Sequence, residues 1–157
     1  MPATVVWALS AGGQSGDVFK WVVDRVTQAL ARLICLFIID PKVADVVFSK
    51  VASTGFLGGK PSANLHAAIL REYEARAHRK LEHVEVAARE AGLRIEGLLR
   101  HGEFAAVCAQ VVKEKQVSQL LLGELSRYSF YQFLKGQATV QELERNAGCP
   151  VEIFKKD

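Results

Sequence analysis

Three stretches of the chain are apolar at almost every position: TVVWAL at 4–9, LICLFII at 33–39 and SQLLL at 118–122. A strand with one face in water alternates apolar and polar residues. A run without that alternation has to be buried on both faces, as in a parallel sheet covered by helices. Two further segments, LRIEGLL at 93–99 and VEIF at 151–154, bring charges into the alternation through Arg94, Glu96 and Glu152, and read as edge strands. Helix-like stretches separate all five, which predicts a parallel sheet with crossover helices. With the first, second and fourth strands inside and the third and fifth outside, the pattern agrees with an α/β fold. Its core is a single doubly wound five-stranded parallel sheet of order 3-2-1-4-5 with helices on both faces. That order opens a crevice between strands one and four at their carboxyl ends. The length of 157 residues suits one domain over 1–157.

The helical stretches carry matching stripes. Phe19, Val22, Val23, Val26 and Leu30 fall on one face of a first helix, with Asp17 as its cap. Phe104, Val107, Cys108 and Val111 do the same after Gly102. The longest helix is predicted to start near Ser62, after Pro61, with Leu65, Ile69, Tyr73, Ala77, Leu81, Val84, Ala88 and Ala91 on one stripe. Glu72 with Arg76 and Glu85 with Arg89 are i,i+4 pairs on its wet side. Thr139 and Glu142 form a capping-box pair, and Gly148 would close that last helix. Residues 53–61, STGFLGGKP, read as a loop.

Several function classes are disfavoured at this point. The 20 Lys and Arg against 17 Asp and Glu give +3 with no basic block, so no nucleic-acid partner is expected. No apolar run approaches the roughly 20 residues of a membrane span, and no signal-peptide order stands at the N-terminus, so a cytoplasmic protein with no membrane partner is expected. Cys35, Cys108 and Cys149, odd in number, read as reduced, inert thiols. His78 and His83, five apart, point about 140° from each other on a helix and share no metal. His101 stands near the crevice, as an exposed loop residue or a ligand contact. Asp40, at the end of the second strand, either orients a ligand or caps the turn into PKVADVV, the cap being the simpler role. No paired acid and base, no Ser, His and Asp set and no metal-ligand spacing is found, so no catalytic residue is assigned.

With strands and loops placed, the chain resembles the universal stress protein family from its first strand to its last. Four pieces carry the resemblance: IIDP at 38–41, RHGE at 100–103, the segment GELSRYSFYQFLKGQ at 123–137, and RNAGCPVEIF at 145–154. The resemblance implies an adenine nucleotide alpha hydrolase-like fold, a role in the stress response, and a homodimer paired through the last strand at Val151 and Ile153. It further implies ATP as the ligand of those members that bind a nucleotide. Their loop carries glycine, two residues, glycine, nine residues, glycine and then Ser or Thr. Here Gly123 and Gly136 match, while Ser126 stands for the second glycine and Gln137 for the hydroxyl residue. Arg127 is similar to the basic residue often found after the second glycine. The acidic residue that ends the family's first strand is replaced by Ser10. Carried over, the crevice comprises Ser10, Ile39, Asp40, Gly102, Gly123, Ser126, Arg127, Gly136 and Gln137.

These replacements have physical consequences. A phosphate loop works by turning successive backbone N–H groups into one concavity beside a helix N-terminus. Where such a loop needs positive φ, a serine costs on the order of 1 kcal/mol more than glycine. Glu124 adds a carboxylate beside the phosphates, offset only where Arg127 reaches it. The segment also gathers Tyr128, Phe130, Tyr131 and Phe133. These make a lid, an apolar contact for a partner protein at Tyr128 and Tyr131, or a short helix that buries Phe130 and Phe133. The expectation is a dimeric binding or interaction module with a degenerate nucleotide loop. The alternatives are a genuine ATP-binding protein with weak or no hydrolysis, and an unrelated enzyme on the same scaffold.

Overall fold

The computed structural model describes residues 3–9, 16–40, 63–123 and 140–154. Within them run β1 (Thr4–Leu9), α1 (Gly16–Gln28), β2 (Arg32–Ile39), α2 (Ala63–Glu90), β3 (Ile95–His101), α3 (Phe104–Lys115), β4 (Gln119–Leu122), α4 (Val140–Ala147) and β5 (Val151–Ile153). The five strands form one sheet of order β3-β2-β1-β4-β5, every pairing parallel, as the run pattern predicts. The register sets Trp7 between Cys35 and Leu121. The third strand runs two residues further than the sequence pattern suggests and ends on His101.

Burial on both faces accounts for the uninterrupted runs. Successive residues of a strand point to opposite faces, so each central strand supplies two cores. Val6, Ala8, Ile34, Leu36, Ile38, Leu120 and Leu122 pack with Phe104, Val107, Cys108 and Val111 of α3 and Leu143 of α4. Val5, Trp7, Leu9, Leu33, Cys35, Phe37, Ile39 and Leu121 pack on the other face with Val18, Val22 and Val26 of α1 and Tyr73, Ala77, Leu81 and Val84 of α2. Each such large aliphatic chain contributes about 1.5–3 kcal/mol by leaving water. A charge at any of these positions would be stranded between two apolar layers. The edges differ: β3 is half-buried along nearly all its length, and its charges pair with α3 as Arg100 to Glu114 at 3.2 Å and Lys115 to Glu96 at 3.5 Å. Trp7 serves by volume, since its buried Nε1 has no acceptor among the described residues.

The helical stripes hold with amendments. Tyr73, Ala77, Leu81, Val84 and Ala88 are buried on α2, whereas Ala91 is exposed in the turn beyond it. Glu72 and Arg76 lie 3.2 Å apart and Glu85 and Arg89 3.4 Å, both pairs on the wet side. Gly148 closes α4 at φ 76°, its N–H donating to the Glu144 carbonyl at 2.8 Å. Thr139 and the loop 53–61 lie outside the described residues. On α1 the buried positions are Val18, Val22 and Val26, with Phe19 and Val23 half-buried. Asp17 lies inside the first turn, where its charge complements the helix dipole, rather than before the helix as a cap.

Leu30 departs furthest from expectation. It is 83% exposed, because the helix ends at Gln28 and Leu30 sits beyond it at φ 51°. Its N–H donates to the Thr27 carbonyl and that of Ala31 to Val26, the same cap that Gly92 and Leu93 make on α2 with Arg89 and Ala88. Gly92 adopts φ 83° freely, but a leucine there carries left-handed strain of about 1 kcal/mol with little burial to offset it. Replacing Leu30 by glycine is therefore expected to raise the melting temperature by about 1–3 °C in a calorimetric scan. A lowered value would show that the leucine is held by contacts that its exposure does not reveal.

Candidate functional site

The site follows from the strand order. From β1 the chain crosses through α1 on one face to β2, and after β4 it reaches α4 on the other face, so the winding reverses between β1 and β4. In a doubly wound sheet the point where the winding reverses, at the carboxyl ends of the strands, is the usual ligand position. Its described rim consists of Leu9, Ile39 with Asp40, His101 with Gly102, and Gly123.

Two hydrogen bonds shape one side of that rim. The Gly102 N–H donates to the Ile39 carbonyl at 3.1 Å, and the Phe104 N–H, first in α3, donates to Asp40 Oδ2 at 3.0 Å. Asp40 is 3% exposed, a buried carboxylate on a helix N-terminus, where unpaired N–H groups and the helix dipole favour negative charge. The sequence reading gave Asp40 a capping role toward the segment after it. That segment lies outside the described residues, and the helix end it meets here is 64 residues distant. No local signal announces such a contact, because it depends on β2 and β3 ending side by side. Glu103, the residue in the N-cap position, makes no side-chain cap of its own.

Gly102 is required where it stands. At φ 143° it occupies backbone space that other residues rarely adopt, and an added Cβ would lie 3.0 Å from Val107 Cγ2. His101 is exposed, with Nε2 at 3.4 Å from Glu74 Oε1 of α2. Glu74 escaped the sequence reading because only the packing of α2 along β3 brings it there. On the fourth strand Gly123 is buried directly after Leu122. The structure thus brings Ile39, Asp40 and Gly102 together on one side and sets Gly123 on the end of β4. Ser10, Ser126, Arg127, Gly136 and Gln137 lie outside the described residues, as do Tyr128, Phe130, Tyr131 and Phe133.

Cys35, Cys108 and Cys149 are buried free thiols. Burial pushes Cys35 up to about 12, with Lys80 pulling it down and Glu85 pushing it up. Cys108 is raised by burial and by Cys149 nearby, and Cys149 by burial and by Glu144. All three are protonated at neutral pH, the opposite of an activated nucleophile. No cluster of metal-ligating residues occurs among the described residues, and none of their helices is long and apolar enough to cross a membrane.

Two outcomes follow. Gly102→Ala is expected to lower stability by about 1–3 kcal/mol in urea unfolding, since the left-handed backbone and the Val107 contact must both yield. Ellman's reagent at pH 8 is expected to label none of the three thiols in native protein and all three in guanidinium; prompt native labelling would show that one is accessible.

Comparison with known proteins agrees with this frame. The model of the universal stress protein family matches residues 1–155. Solved structures similar to this chain include a universal stress protein family member from Burkholderia pseudomallei, 17% identical with a TM-score of 0.62, covering 99% of this chain and 97% of that one. Another is a family member from Arabidopsis thaliana with AMP bound, 15% identical with a TM-score of 0.57 and coverage of 99% and 93%. A third, from Archaeoglobus fulgidus in complex with dAMP, is 12% identical with a TM-score of 0.54 and coverage of 98% of each chain. At these identities the likeness is one of fold. No curated protein matches the sequence.

Proposed function

This chain belongs to the universal stress protein family, and we propose that it acts there as a cytoplasmic, dimeric binding and interaction module of the stress response, with a nucleotide loop too altered to hold ATP tightly. The observation that carries this reading is an intact frame joined to an altered loop. β1 and β4 part beside Leu9 and Gly123 as a ligand crevice requires. The segment that would wrap a triphosphate there holds Ser126 for a glycine, Gln137 for a hydroxyl residue and the carboxylate of Glu124. The buried, protonated thiols supply no nucleophile, which supports binding rather than thiol chemistry.

A second reading, a genuine adenine-nucleotide binder with weak or no hydrolysis, is supported by the likeness to the Arabidopsis protein solved with AMP and the Archaeoglobus protein solved with dAMP. Thermal unfolding separates the two. A ligand at a hundredfold excess over its dissociation constant stabilises a fold by about 2.7 kcal/mol. The first reading expects millimolar ATP with magnesium to move the melting temperature hardly at all. A rise of several degrees that disappears in Gly136→Val would replace it with the second.

For the dimer, the two sheet edges give unequal support. β3 carries charges tied to α3, whereas β5 offers Val151 and Ile153, and its one charge, Glu152, is already neutralised. Arg25 donates to Glu152 Oε1 from Nε at 3.0 Å and from Nη2 at 2.6 Å, and Gln119 Nε2 donates to Oε2 at 2.9 Å. An apolar edge strand paired on one side only suits antiparallel pairing with a second copy, which would take over the Val151 N–H that now donates to Glu144 Oε1 at 3.2 Å. Tyr128 and Tyr131 are offered as a further contact for a protein partner. Light scattering is expected to give twice the chain mass, falling to the monomer in Ile153→Lys. A native monomer would remove the pairing.

A further inference from the structure

We propose that the groove between the carboxyl ends of α1 and α2 is a docking site for a short peptide segment of a partner protein, one that sets a leucine-sized side chain beside carboxylates. The groove lies at the edge of the sheet opposite the nucleotide position, and stands or falls apart from it.

Both helices run into their strands through the same corner. ALARL at 29–33 follows α1, and AGLRI at 91–95 follows α2. In each the second residue is left-handed, Leu30 at φ 51° and Gly92 at φ 83°, and its N–H closes the last turn on the Thr27 or the Arg89 carbonyl. The corners stand side by side, since Leu33 pairs with Ile95 and the Leu33 N–H donates to the Arg94 carbonyl at 2.8 Å. Between them lies a groove of about 560 Å³ whose lining includes Leu30, Ala31, Ala91, Leu93, Arg32 and Arg94.

Folding alone gives no reason for Leu30. It is 83% exposed in a conformation that glycine adopts at the other corner, so it adds strain and wet apolar surface where glycine would add neither. A leucine so placed serves a contact outside the chain. The arginines say what kind. They are like charges on neighbouring strand ends, and among the described residues none that is acidic lines the groove. An arginine after a helix end commonly serves the helix dipole, but here cap N–H groups already take the carbonyls of Val26 and Thr27 and of Ala88 and Arg89. Arg32 instead donates its Nε to Thr4 Oγ1 at 2.9 Å, and Arg94 makes no hydrogen bond or ion pair among the described residues. Guanidinium groups without carboxylates, beside an exposed leucine, complement an acidic and apolar segment. A second copy docked groove to groove would set arginines against arginines.

The probe is a blocked hexapeptide of alternating leucine and glutamate, added to the full chain while amide chemical shifts are recorded. Shifts are expected to gather at Thr27, Leu30, Ala31, Arg32, Gly92, Leu93 and Arg94. The affinity is expected to fall by about tenfold in Leu30→Gly, which loses a buried leucine contact but folds at least as stably as wild type. Arg94→Glu, an exposed change, is expected to weaken this peptide and to favour its counterpart with lysine for glutamate. No shift at millimolar peptide, or undiminished affinity in Leu30→Gly, overturns the proposal. So does octanoate moving the same amides as strongly at equal concentration, which would make the groove a small-molecule site. A fall in light-scattering mass in Leu30→Gly would assign it to contact between copies and overturn the proposal equally. A chain that binds no AMP bears on the nucleotide reading alone.

Discussion

Burial of the central strands on both faces is the constraint from which the rest of the structure follows. β1, β2 and β4 have no wet side, so their residues alternate between two apolar layers, Val6 and Ala8 into one and Val5, Trp7 and Leu9 into the other. Helices have to cover both layers, and the chain can cover both only by reversing its winding direction once. The reversal falls between β1 and β4. The ligand position is thus a by-product of core formation: the place where the winding reverses.

Two polar contacts brace one side of that position. Asp40 on the α3 N-terminus and Gly102 on Ile39 hold two strand ends together, and each is tied to its neighbour by geometry that substitution would disturb. At the far side of the sheet Arg25, Gln119 and Glu152 tie α1 to β4 and β5, with Arg25 lying 5.7 Å from the Trp21 ring and Trp21 5.5 Å from Phe154. This cluster is about one-third exposed, so its worth is modest, on the order of 1 kcal/mol. Its larger effect is to neutralise a charge on the edge strand, in keeping with the pairing proposed for β5.

What the sequence made legible was whatever repeats along the chain. Strand order came from contrast between uninterrupted runs and charged alternation, and the α3 face from the spacing of Phe104, Val107, Cys108 and Val111. Contacts between distant residues stayed hidden, because nothing near Asp40 names Phe104 and nothing near His101 names Glu74. Leu30 was misread for a related reason. Its spacing continues the α1 stripe, but the helix stops two residues earlier and the side chain turns outward. The family was legible from four short pieces in order, and the model match over residues 1–155 bears that out.

The account comes down to a small molecule lodging at the carboxyl edge, between the ends of β1 and β4, and lodging weakly. Amide chemical shifts recorded while AMP is added test this most directly. Shifts gathered at Leu9, Ile39, Asp40, Gly102 and Gly123, still short of saturation below millimolar AMP, are the predicted result. Saturation at micromolar AMP would contradict the degraded loop, and shifts gathered instead at Thr4, Arg32 and Gln119 on the opposite edge would contradict the site itself.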